Sequence, residues 1–187
     1  QCADFGDNEV FLSFLPLSHT LERTGGCFLP MLLGAEVAFS RGIAQLAQDL
    51  QEVRPTALIS VPRIYERVYA RIQDGLAKKK PVAKKLFELA VTVGWQRFEF
   101  KQGRAPWHSR LLLWPLLQRL VAKTVTDKLG GRLTFAVSGG APLSPDIARV
   151  FVGLGVPLYQ GYGLTEASPV VCVNTPRSNI PASIGPA

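Results

Sequence analysis

The sequence predicts an α/β fold, with βαβ units on a largely parallel sheet and one helical excursion between strands. Three observations carry this. The apolar run 133–137 breaks at Ser138-Gly139-Gly140-Ala141-Pro142, and the run 156–160 breaks at Gly161-Tyr162-Gly163-Leu164-Thr165-Glu166. Between them Ile147, Val150, Phe151 and Leu154 recur at helical spacing, so strand, helix and strand follow within about 30 residues, the length of a βαβ crossover. Two further strand–helix alternations precede this unit, while residues 78–131 carry helical patterns alone.

Taken in order, Phe11 to Leu15 alternates and ends at Pro16, the pattern of a strand entering a turn. Leu17-Ser18-His19 and Glu22-Arg23 then lead into an apolar, glycine-bounded helix. Residues 36–40 form a short strand. Ile43, Leu46, Ala47, Leu50 and Val53 line one side of a helix that stops at Arg54-Pro55, because the residue before proline avoids helical geometry. Residues 56–61 form the next strand. Pro62 opens a helix whose apolar line is Ile64, Val68, Ile72 and Leu76, leaving Arg63, Tyr65, Glu66 and Arg67 for solvent or neighbouring loops.

Within the excursion, helices are expected over 82–101 and 109–129, joined by Gln102-Gly103-Arg104-Ala105-Pro106. In the second, Leu113, Leu116, Leu117, Leu120, Thr124 and Val125 make a stripe, and Pro115 should kink or restart the helix. The excursion is read as a cover on the sheet. Trp107 and Trp114 beside basic residues also admit a membrane-interface reading. Further on, Ser144 should cap a helix with Pro145 at its first position and Gly155 at its end. Residues 170–174 form a last strand.

The net charge is +7, and much of it lies mid-chain in Lys78, Lys79, Lys80, Lys84 and Lys85, followed by Arg97, Lys101, Arg104 and Arg110. No helix-turn-helix, RNP-like or zinc-finger pattern accompanies it, so nucleic acid is not the expected partner. A solvated helix face accounts for the run, and peripheral contact with anionic lipid headgroups is the other reading. Cys2, Cys27 and Cys172 are odd in number and lack metal-binding spacing, which points to free thiols in a reducing, cytoplasmic setting. No apolar stretch reaches the roughly 20 residues that cross a bilayer.

In open α/β sheets, ligands bind at the carboxyl ends of parallel strands, where both glycine-containing turns fall. Glycines admit close backbone approach by a flat ligand. Tyr162 between glycines is free to stack on a base, Thr165 offers a hydroxyl to a phosphate oxygen, and Glu166 offers a carboxylate of the kind that holds Mg²⁺ beside phosphates. Either turn alone is equally an ordinary strand end.

GYGLTE following a GGAPLS segment resembles the adenylate-forming, AMP-binding superfamily, and within it the long-chain fatty acyl-CoA synthetases. The resemblance implies that Tyr162 packs on adenine, Thr165 meets the AMP phosphate and Glu166 binds Mg²⁺. It places Gly139, Gly140 and Ala141 against the adenine and the acyl tunnel, with Gln160, Gly161 and Gly163 completing the nucleotide-binding set. LPLSH with Glu22-Arg23 is similar to a family segment whose histidine, here His19, lies near the substrate carboxylate and the forming acyl phosphate. His19, Thr165 and Glu166 are thus the implied catalytic residues; His19, Gly139 and Gly140 are the implied acid-binding ones. The implied reaction joins a long-chain fatty acid to AMP, releases pyrophosphate and passes the acyl group to coenzyme A, with ATP, Mg²⁺ and coenzyme A as cofactors and co-substrates.

The helical excursion is also reminiscent of long-chain members. The family's phosphate loop, its ribose-binding aspartate and the C-terminal domain with its lysine are not among these 187 residues. The chain is therefore expected to be a central fragment of the AMP-binding domain, inactive alone. A ligase for another carboxylic acid and a non-catalytic nucleotide-binding module are the alternatives. A dinucleotide oxidoreductase is disfavoured, because neither turn is a G-x-G-x-x-G opening a helix with an acidic residue about 20 positions on.

Overall fold

A computed structural model describes residues 8–185; Cys2 and its expected free thiol lie outside the described residues. The apolar runs become β1 (Val10–Ser13), β2 (Glu36–Phe39), β3 (Ala57–Ser60), β4 (Phe135–Ser138), β5 (Leu158–Gly163) and β6 (Val170–Val173). They form one sheet in the order β2-β1-β3-β4-β5-β6. All neighbours are parallel except β5 and β6, which are antiparallel. The predicted break at Gly161 is corrected here. Leu158 to Gln160 pair with β4, and Gly161 to Gly163 continue the strand past the end of β4 to pair with β6.

Helices cover both faces. On one, α1 (Thr20–Glu22) runs through a π-helical stretch, Arg23–Phe28, into α2 (Leu29–Leu33), and Leu21, Leu29 and Leu33 pack on Phe11, Ala57 and Ile59. On the other lie α3 (Leu46–Val53), α4 (Pro62–Ala77), α5 (Pro81–Lys101), α6 (Trp114–Leu117), α7 (Lys123–Thr126) and α8 (Pro145–Gly153). Their apolar sides share one core with Leu12, Leu58, Ala136 and Leu158 of the sheet.

Several expectations change. Ile43 precedes α3 and is exposed, as is Ala47. The buried position between Leu46 and Leu50 goes to Asp49, whose carboxylate accepts from the Ser40 hydroxyl at 2.7 Å and from Arg41 Nε at 2.6 Å. Arg54 does end the helix, in a left-handed conformation with φ 52°. Tyr65 does not face solvent: its ring is fully buried edge-on to Phe151, and its hydroxyl bonds the Ser60 hydroxyl at 2.8 Å. Ser144 precedes α8 as expected, but its side chain makes no capping hydrogen bond.

The second excursion helix is the largest revision. It is a succession of short pieces: a 3₁₀ turn (Ser109–Leu113), α6 with Pro115 in its first turn, a π-helical stretch (Gln118–Ala122), α7 and a second 3₁₀ turn (Asp127–Leu129). The buried line is Trp114, Leu117, Ala122, Val125 and Leu129, while Leu113, Leu116, Leu120 and Thr124 are exposed. A π-helical turn inserts an extra residue, so a stripe drawn at constant helical spacing rotates out of register across it. Trp114 is thus a core residue with the Arg97 guanidinium over its ring at 5.4 Å, not an interface anchor; Trp107 is exposed.

The excursion covers the sheet through α8. A Cβ on Gly94 of α5 would collide with the Gly153 carbonyl oxygen of α8, so the two backbones touch as only glycine permits. Lys78, Lys79, Lys80, Lys84 and Lys85 are exposed. Among the described residues, no helix is long and apolar enough to cross a membrane.

Candidate active site

The ends of β4 and β5 lie side by side, with Ser138 opposite Gln160. Beyond β4, the Gly139 amide donates to Ser60 O at 3.0 Å, extending the pairing with β3 by one residue. The chain then turns sharply at Gly140, whose φ of +80° is left-handed and suits glycine. This sends Ala141-Pro142-Leu143 over the end of β5, where the buried Leu143 amide donates to Gln160 Oε1 at 2.9 Å. The Gln160 side-chain oxygen is therefore committed to holding the loop.

Past Gln160, a Cβ on Gly163 would collide with the Pro169 carbonyl oxygen, because the segment 164–169 doubles back on the strand. The Leu164 amide closes that reversal on Pro169 O at 2.8 Å. A 3₁₀ turn, Thr165–Ala167, forms its tip and ends at Ser168 in the left-handed region. Thr165 and Glu166 are exposed on this tip, and Tyr162 is 43% exposed between its two glycines.

Between the two turns lies a cleft of about 190 Å³, lined by Gly140-Ala141-Pro142, by Gln160 to Gly163 and by Ile184. The structure thus brings Gly140, Ala141, Gln160, Gly161, Tyr162 and Gly163 together. Gly139 lies beneath, where an added Cβ would sit 3.3 Å from Leu21 Cδ2 and 3.9 Å from Gly161 O. Thr165 and Glu166 occupy the adjoining turn and do not line the cleft.

His19 also lies off the cleft lining. It precedes α1 as its N-cap: Nδ1 accepts from the Leu21 amide at 3.2 Å, and Leu21 in turn packs toward Gly139. With Nδ1 an acceptor, the neutral ring carries its proton on Nε2 and presents a donor there. Three residues on, Glu22 is fully buried, and neither carboxylate oxygen has a well-formed hydrogen bond. Burial raises its pKa above the usual range, against smaller opposing effects from the Ser13 hydroxyl and the Phe14 backbone.

No chemical role is legible in the sequence at Glu22, Leu143, Asn174, Asn179 or Ile184. Asn174 is expected within the last strand, and Glu22 enters only through the family-like segment that carries His19. Tertiary burial distinguishes Glu22, Leu143, Asn174 and Asn179, whereas Ile184 stays exposed at the cleft.

Among the described residues, no group of three or more His, Cys, Asp and Glu side chains converges as a metal cage. One exposed carboxylate beside a hydroxyl nonetheless fits Mg²⁺, which keeps several waters and is held by one or two carboxylates plus substrate phosphates.

A family described as AMP-binding enzyme matches this chain over residues 1–187. The chain belongs to the AMP-binding enzyme family. Among the relatives of this AMP-binding chain is the peroxisomal long chain acyl-CoA synthetase 7 of Arabidopsis thaliana, 34% identical over 98% of the chain and 25% of its own length. Long chain acyl-CoA synthetase 1 of the same plant is 36% identical over 85% of the chain and 23% of its length. The chain therefore spans about a quarter of the curated relatives it matches. The A domain of the carboxylic acid reductase from Segniliparus rugosus, solved in complex with AMP and a co-purified carboxylic acid, is 28% identical with a TM-score of 0.54. It matches over 87% of this chain and 22% of its own. Two of the three cysteines, Cys27 and Cys172, are free.

Proposed function

We propose that the whole protein to which this AMP-binding chain belongs activates a long-chain fatty acid with ATP, forming an acyl-adenylate and pyrophosphate, and then transfers the acyl group to coenzyme A. The observation that carries this reading is the cleft itself. It places a half-exposed Tyr162 and the Gly140 turn around one small space, with Thr165 and Glu166 on the next turn. The relatives named as long chain acyl-CoA synthetases support the choice of acid.

In this reading Tyr162 stacks on adenine, and Gly139, Gly140 and Ala141 let the nucleotide and the acid lie against bare backbone. The exposed Thr165 hydroxyl donates to the α-phosphate. Bringing a carboxylate up to a phosphate opposes two anions, so donors placed where charge develops lower the barrier, and holding the two groups in line adds further acceleration. His19, with Nε2–H free to donate, is suited to orient the attacking carboxylate. Glu166 would hold Mg²⁺, which supplies charge neutralisation at the phosphates when bound. These residues bind and orient; the activity belongs to the longer protein, and the 187 residues assayed alone are expected to release no pyrophosphate.

The exposed lysines between α4 and α5 suit peripheral contact with an anionic membrane surface, from which such an acid could be drawn. Free thiols at Cys27 and Cys172 suit a reducing compartment. The substrate class is tested by pyrophosphate release from the full-length protein with ATP, Mg²⁺ and a panel of fatty, aryl and amino acids. Release that requires a long-chain acid is expected. Preference for an aryl or amino acid would replace the substrate, and nucleotide binding without release would favour a binding module.

A further inference from the structure

Midway through the helical excursion, where α5 ends, two side chains reach back to the segment that carries part of the cleft's wall. Gln102, the residue that caps α5, clamps the backbone of the segment after β6: its Nε2 donates to Pro176 O at 3.0 Å, and its Oε1 accepts from the Asn179 amide at 2.9 Å. One amide thus satisfies a donor and an acceptor of the same strap, as a neighbouring strand would. Arg104 adds a third bond, Nη2 to Asn179 O at 2.9 Å. It is preset for this by a two-point pairing with Glu99, at 3.0 and 2.7 Å, and by lying over the Phe98 ring.

The strap, 174–185, has little regular structure beyond one isolated bridge between Thr175 and Ser178, and Ile180 and Ile184 are both largely exposed. What holds it to the sheet is polar. Asn179, 3% exposed, donates to Leu158 O at 3.0 Å. Asn174, 1% exposed, donates to Ser183 O at 2.6 Å and to Gln160 O at 3.2 Å, and accepts from the Ile180 amide at 2.9 Å. Gln160 in turn holds Leu143, and Ile184 at the strap's far end lines the cleft. A continuous set of hydrogen bonds therefore runs from the excursion, through the strap, to both walls of the site.

We infer that Gln102 and Arg104 are positioning residues: the excursion serves to hold the strap, and through Asn174 and Ile184 it sets the shape of the cleft. The ligand's identity as nucleotide and acid rests on the function proposed above; the clamp itself does not. Gln102 is half-buried and its bond to Pro176 O is exposed. Truncating it leaves the strap held by Arg104 and by the buried Asn174 and Asn179, so the strap and what they hold are free to move more.

The test compares full-length wild type with Gln102→Ala, Gln102→Glu and Arg104→Ala. Hydrogen exchange at the Asn179, Ile180 and Leu143 amides should quicken by roughly tenfold or more in Gln102→Ala, with β3 and β4 unchanged. The Michaelis constant for ATP or acid should rise several-fold, while kcat falls less. Gln102→Glu keeps the acceptor for Asn179 and should fall between. Unchanged exchange at Leu143, or unchanged Michaelis constants despite a loosened strap, would overturn the positioning role. Equal acceleration across the sheet would overturn it too, as general destabilisation. If wild type releases no pyrophosphate with any acid, the proposed function fails, and exchange at Leu143 in wild type against Gln102→Ala still decides whether the clamp reaches the site.

Discussion

The backbone amide of Leu143 donates to Oε1 of Gln160 at 2.9 Å, joining the loop after β4 to the strand that leads into GYGLTE. Both groups are buried, so neither has water as a substitute partner. The spacing between the two glycine turns is fixed by this bond as much as by the sheet.

Gln160→Met keeps the side-chain volume and removes the acceptor. A buried N–H left unpaired costs about 1–3 kcal/mol, so urea unfolding of the full-length variant should show a loss of that order. Nucleotide affinity should fall with it, because the freed Leu143 loop forms one wall of the cleft. Wild-type stability and affinity in this variant would show that the bond is incidental.

Gly94 and Gly153 make a prediction with a built-in control. Gly94→Ala places a methyl group against the Gly153 carbonyl and the Trp114 ring, an overpacking that costs typically about 1–3 kcal/mol and more where backbone must move. Gly75, also helical, has nothing within 4 Å of an added Cβ, and Gly75→Ala should stabilise by up to about 1 kcal/mol through helix propensity. Melting temperatures shifting in opposite directions confirm the close crossing of α5 and α8; parallel shifts contradict it.

Glu22 makes the fold sensitive to pH. Its pKa is raised in the folded state, chiefly by burial, above the unsited value of 4.5. Between those two values the folded chain binds more protons than the unfolded one. The contribution is therefore fully present below the unfolded pKa and is lost as pH rises through the folded one. Glu22→Gln cannot titrate, so the stability difference between wild type and variant should change as pH rises from 4.5 through the raised folded value and flatten above it. A difference constant with pH would place Glu22 among ordinary carboxylates.

The parallel strands were readable because a buried strand announces itself as a short apolar run between turn residues, and the GYGLTE and GGAPLS turns because their residue types carry chemistry. Other features depend on partners distant in sequence. The strand end at Gly161 to Gly163 exists because β6 pairs with it. The stripe through Leu120 and Thr124 failed at a π-helical stretch, Gln118–Ala122, that no periodic template contains. Tyr65 and Glu22 sit at positions whose burial is set by α8 and by the sheet beneath α1, and nothing within a few residues of either reveals that.

Thr165 and Glu166, on the turn beside the cleft, are proposed to serve phosphate chemistry. The most direct test measures pyrophosphate release by the full-length protein with ATP, Mg²⁺ and a long-chain acid, for wild type, Thr165→Ala and Glu166→Ala, with nucleotide binding followed separately. The expected result is a loss of roughly 100-fold or more in each variant, with unfolding midpoints unchanged because both side chains are exposed. Variants that release pyrophosphate at the wild-type rate would contradict the assignment.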